Sequence, residues 1–201
     1  HNPDILVRLS GSIKDKSIKE LAISTIVIKI AQIGVQTKNR DFLQRAVGIA
    51  CLIEDQNTSS STMSTIIDEA AVLAASQGDL DLLLRMKIWS GSLLDPRLIA
   101  YAMANIIGGI IKYATDKNSY ESLEEAYNIA KEINDPSLKI QLCERIAETF
   151  IKIGCGIYRD SSYYVSGNEN NFNLLPFIRG LEIIKHEMKN QQVSLKIARA
   201  H

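Results

Sequence analysis

Apolar residues recur along this chain at spacings of three and four, the mark of helices with one buried face. The frame of these positions repeats every 40 residues. Ile26, Ile66, Ile106 and Ile146 hold one position, Ile30, Ala70, Ile110 and Phe150 the next, and Ile33, Leu73, Tyr113 and Ile153 a third. Each such segment ends on a small residue: Gly34, Ala74, Ala114, Gly154. A second segment follows, with Leu43, Leu83 and Leu123, then Ala46, Met86 and Ala126, then Ile49, Trp89 and Ile129, then Ile53, Leu93 and Ile133. Asp15, Asp55, Asp95 and Asp135 open successive units at the same interval. The pattern predicts an all-α fold of about eight or nine antiparallel helices. These form helical hairpins with a 40-residue period, an α-α superhelix or solenoid.

The polar punctuation has local physical reasons. Asp-Pro at Asp95-Pro96 and Asp135-Pro136 places a side-chain acceptor just before a residue that has no N–H to satisfy. These aspartates are therefore expected to cap helices rather than to catalyse. Gly34 and Gly154 are expected to stop first helices in a left-handed conformation. Gly108-Gly109 falls mid-helix and is expected to allow close helix packing. Thr58 to Thr62 reads as a helix start, Asp79 and Asp81 as first-turn acids, and Glu121, Glu124 and Glu125 as a solvated acidic face.

The domain organisation follows from the frame. One helical-repeat domain over 1–201 contains units at 15–54, 55–94, 95–134 and 135–154. An irregular insertion at 155–176 and terminal helices at 177–201 complete it. Leu6, Leu9, Ser10 and Ile13 match Ala126, Ile129, Ala130 and Ile133, so the chain reads as a fragment of a longer array. The insertion is rich in Gly, Asn and Ser and carries Tyr158, Tyr163, Tyr164 and Phe172, a third of the chain's aromatics. It is expected either to cover the open end of the stack or to form a recognition patch of Tyr158, Arg159, Tyr163 and Tyr164.

In the order Cys143, Ile146, Ala147, Phe150, Gly154, and in Tyr120, Leu123, Tyr127, Ala130 before an Asp-Pro break, residues 5–154 resemble the tetratricopeptide (TPR-like) helical repeat at superfamily level. The unit is longer than that family's. Val27, Ile67 and Ile107 stand where its first helix takes a small residue, and Leu43, Leu83 and Leu123 where its second does. The resemblance implies a superhelix that binds partners on a concave face lined by first helices. Asp68, Tyr101, Lys112, Gln141, Glu144, Glu148 and Lys152 then point inward, with Ser24 and Ser64 before them.

Composition narrows the chemistry. The 201 residues carry 23 basic and 23 acidic side chains, a formal net charge of zero. That disfavours nucleic acid and anionic membrane as partners. No apolar run reaches the length of a membrane span; Lys29 and Gln32 interrupt the segment from Leu21 to Ile33. Cys51, Cys143 and Cys155 form no C-x-x-C pair, so no metal site or redox dithiol is expected, and a reducing, cytoplasmic setting is. His186 is the one internal histidine, and no nucleophile–base set can be built on it. No catalytic residue, cofactor or metal is assigned. The function expected is a non-catalytic protein–protein interaction scaffold or adaptor that takes a protein or peptide. The alternative is a helical enzyme or enzyme subunit with a small-molecule pocket between the inner face and the 155–176 insertion. Oligomeric state is left open.

Overall fold

A computed structural model describes residues 10–155 and 174–200. It is all-α, with eight helices and no strand among the described residues. They are α1 (Lys16–Gln36), α2 (Arg40–Ala50), α3 (Gln56–Gln77), α4 (Leu80–Ser90), α5 (Pro96–Lys117), α6 (Tyr120–Lys131), α7 (Pro136–Gly154) and α8 (Leu174–Ala200).

Caps set the long helices. Asp15, Asp55 and Asp135 each accept from the backbone N–H three residues on, at Ile18, Thr58 and Leu138. Asp95 accepts instead from Arg97 N–H at 2.8 Å and holds the Arg97 guanidinium. The short helices have their own caps in Asn39, Asp79 and Ser119.

The turn between long and short helix differs from the expected glycine stop. The left-handed residues are Lys38 (φ 54°), Gly78 (φ 62°) and Asn118 (φ 52°); Gly34 and Gly154 are not among them. The carbonyls of Gly34, Ala74 and Ala114 accept from the N–H groups of Asn39, Asp79 and Ser119. This reverse-turn bond closes the helix end. Gly34 is small for a steric reason. A Cβ there would sit 3.0 Å from Phe42 Cβ and 3.1 Å from the Asn39 carbonyl.

The apolar frame packs as its spacing requires. Ile66, Ile106, Ile146, Phe150, Leu43, Leu83, Leu123, Met86 and Ile129 are wholly buried. Ile26, Tyr113 and Trp89 are only half-buried, and Ile33 is exposed. Val27, Ile67, Ile107 and Ala147 are also wholly buried, one position beyond the frame. Cys51 caps α2 and is exposed; Cys143 is buried.

The chain divides into two compact units, one ending at Gly109 and one beginning at Ile110. The first holds α1–α4 and most of α5. The second holds the end of α5 with α6, α7 and α8. α5 is long and apolar enough to cross a membrane, yet its Ala102, Ile106, Ile107, Ile110 and Ala114 are buried in protein. Gly109 seats against α4: a Cβ would lie 2.5 Å from Leu83 Cδ2, whereas one on Gly108 meets nothing within 4 Å. α8 starts at Leu174, three residues before the expected resumption of helix.

Candidate functional site

In the first unit the long helices are joined side to side by polar pairs. Ser24 Oγ lies 2.7 Å from Thr62 Oγ1, which gives its proton to the Thr58 carbonyl. Ser24 is therefore the donor between them. Gln32 Nε2 donates to Glu69 Oε1 at 3.2 Å, and Asn105 Nδ2 donates to Asp68 Oδ1 at 2.9 Å. Ser24 and Ser64, expected to point inward, are buried between helices.

The Asp68–Asn105 pair is half-buried and bordered by open side chains. Tyr101, one turn before Asn105, is 54% exposed, and Val72, one turn after Asp68, is 60% exposed. Gly108, one turn beyond Asn105, leaves open space where other residues carry a Cβ. Burial pushes the Asp68 carboxyl above its usual value, against the Asn105 hydrogen bond; Glu69 adds to the rise. The result is a surface patch in which a half-buried carboxylate–amide pair lies between exposed Tyr101 and Val72.

The other expected residues are placed apart from this patch. Lys112 pairs with Asp116 at 3.3 Å on the exposed surface. Gln141, Glu144, Glu148 and Lys152 share one face of α7, the first three exposed. Lys152 lies 4.0 Å from Glu148. Tyr158, Arg159, Tyr163 and Tyr164 lie outside the described residues, and so does most of the insertion beside which the alternative pocket was expected.

One charged constellation escaped the sequence pattern. Glu124, expected on a solvated face, is gripped by Arg179 of α8 through two bonds of 2.6 and 3.0 Å. The guanidinium lies 5.4 Å from the Tyr127 ring centre, and Lys131 Nζ lies 5.0 Å from it. Beneath this, burial pushes the Cys143 thiol up to about 12, with buried Glu187 adding to the rise. Cys143 therefore stays protonated and unreactive near neutral pH. Glu124 and Arg179 are 55 residues apart, so no periodic signal links them. Glu20 is a second buried carboxylate that the pattern missed; it accepts from Asp55 N–H at 3.2 Å. It helps line an open groove of about 700 Å³ where α1 and α3 begin, flanked by the exposed Lys16–Glu54 pair at 2.8 Å. Among the described residues no three His, Cys, Asp or Glu side chains are grouped to hold a metal ion.

No protein-family model matches this chain. No curated protein matches it either. Among solved structures it is similar to a "DHF58 filament", at 14% identity over 94% of this chain and 92% of that chain, with a TM-score of 0.27.

Proposed function

We propose that this chain is a non-catalytic interaction scaffold built from tetratricopeptide-like hairpins of 40 residues, and that its long helices take a polypeptide partner. The repeat reading is supported by helix starts at Lys16, Gln56, Pro96 and Pro136, and by left-handed turns at Lys38, Gly78 and Asn118. The observation that carries the binding reading is the half-buried Asp68–Asn105 pair, with open space at Gly108, between exposed Tyr101 and Val72. A carboxylate and an amide in one patch supply acceptors and donors for a peptide backbone, and the flanking apolar groups supply contact area. The mixed charge of the α7 face, with Glu144, Glu148 and Lys152, suits a polypeptide better than a nucleic acid. Exposed free Cys51 and Cys155 fit a reducing, cytoplasmic setting.

The test is selection of peptides from a displayed random library on the intact protein. Binding of the selected peptides is expected to fall at least tenfold in Tyr101→Ala and in Asp68→Ala, and to persist in Ile88→Ala, which changes an exposed apolar group on α4. Selected peptides indifferent to Tyr101 and Asp68, or no selection at all, would overturn the reading.

A further inference from the structure

Glu20 is a buried acid that the fold does not require. It is 7% exposed and stands as the fifth residue of α1. One of its oxygens accepts from the Asp55 N–H at 3.2 Å, which ties α1 to the start of α3. On α3 the fifth residue is Ser60, also buried, and its hydroxyl accepts from the Leu94 N–H at 3.0 Å. On α5 and α7 the fifth residues are Ala100 and Ile140, which offer no side-chain acceptor. A neutral hydroxyl therefore does the same structural work, and two long helices begin without it. Burying a carboxylate is costly where a hydroxyl suffices.

The second oxygen of Glu20 makes no hydrogen bond or ion pair among the described residues. No fully buried side-chain oxygen there lacks a partner, so this one reaches solvent, and Glu20 borders two grooves. The groove of about 700 Å³ carries Glu20, Glu54 and Asp55 against Lys16, whose ammonium Glu54 holds. The other, of about 430 Å³, sets Lys14, Lys16 and Lys19 against Glu20 and Glu54. Excess negative charge marks the larger groove as the one for a cation. Its acids are not grouped to hold a metal ion. Carboxylates spread along a groove suit instead a wide planar cation with several donors, which is a guanidinium. Leu21, 65% exposed, lines the same groove and offers contact to an aliphatic stem.

We infer that the groove at the starts of α1 and α3 is a guanidinium site, in which the open oxygen of Glu20 holds the cation and Glu54 and Asp55 add acceptors. The guanidinium donates to the one Glu20 oxygen that no protein group serves, and such a charge-assisted bond is about twice as strong as a neutral one. This site is separate from the Asp68–Tyr101 patch and does not rest on it. An arginine side chain of a polypeptide and a free alkylguanidinium share the chemistry, and the probes below distinguish them.

Proton–nitrogen correlation spectra of the full chain test this, with butylguanidinium and a blocked Gly-Arg-Gly tripeptide as probes. Saturable shifts are expected at the Leu21 and Asp55 amides, with a dissociation constant on the order of 1 mM. The same tripeptide with citrulline, which keeps the shape and loses the charge, is expected to leave them unmoved. Glu20→Gln keeps an acceptor for the Asp55 N–H and is expected to weaken binding about tenfold at an unchanged melting temperature. Tyr101→Ala is expected to leave this binding as it was. Tighter binding of the tripeptide assigns the site to an arginine of a polypeptide, and tighter binding of butylguanidinium to a free cation. Should Glu20→Gln fail to fold, the preference of the parent chain for arginine over citrulline still reads the charge. No saturable shift at those amides, an equal response to citrulline, or unchanged affinity in folded Glu20→Gln would each overturn the inference.

Discussion

The hairpins before Gly109 and those after Ile110 are joined by links of different reach. In the first unit the cross-links span nearly equal intervals: Ser24 to Thr62 spans 38 residues, Gln32 to Glu69 and Asp68 to Asn105 span 37, and Arg40 to Asp81 spans 41. Two of the four, Ser24–Thr62 and Asp68–Asn105, join short side chains, which bond only where the two helices lie close. In the second unit the link from α8 to α6 is the Arg179–Glu124 fork, spanning 55 residues. A long guanidinium reaches its carboxylate without a fixed repeat spacing. Links of nearly equal span thus tie neighbouring helices in the first unit, whereas one long guanidinium bridges a wider interval in the second.

The largest effects come from the two cores. Phe150→Ala in the second unit is expected to cost about 3–5 kcal/mol, and Ile67→Ala in the first about 2–5 kcal/mol. Trp89, the single tryptophan, reports on the first unit alone. Phe150→Ala is expected to lower the urea midpoint by circular dichroism while Trp89 fluorescence keeps its own. Equal movement of both signals would erase the distinction between units.

Next in size is the glycine pair on α5. Gly109→Ala drives a methyl into Leu83 and is expected to cost about 1–3 kcal/mol. Gly108→Ala enters open space and is expected to gain up to about 1 kcal/mol in helix propensity. Thermal melts of the two variants should move in opposite directions.

The polar links come last. Arg179 and Glu124 side chains are each 34% exposed, so Arg179→Met is expected to cost about 1 kcal/mol or less, shrinking as salt rises. Asp68 gives a pH signature. Its folded carboxyl titrates above the ordinary 3.8, so its protonated form favours folding and that contribution is lost as pH rises through the raised value. Asp68→Asn keeps the acceptor for Asn105. It is expected to raise the melting temperature at pH 7 and to change nothing well below pH 3.8, where both side chains are neutral. A gain of equal size in acid would mean that charge is not the cause.

Helices and caps were legible in the sequence because both obey local rules. Asp15, Asp55 and Asp135 announce themselves by position, and Leu43, Leu83 and Leu123 by spacing. What escaped depends on neighbours distant in sequence. Gly34 looks like a helix stop, but its smallness answers to Phe42 and Asn39, and the left-handed turn falls to Lys38. Cys51 fits the apolar pattern and yet sits at a helix end in solvent. Of the expected binding residues, Asp68 and Tyr101 share one surface patch. Its other half, Asn105 and Gly108, carries no pattern of charge or polarity that spacing could reveal. Glu20 and Glu187 are buried acids at positions where composition predicts solvent.

The turn lengths also set an order of assembly. Three residues join α1 to α2, and two join α3 to α4 and α5 to α6, whereas nineteen separate α7 from α8. Closing the longer connection costs about 2 kcal/mol more in chain entropy. The early hairpins can therefore form from neighbours in sequence, on the fast timescale of local contacts. α8 docks after them, once α6 has set Glu124 in place for Arg179.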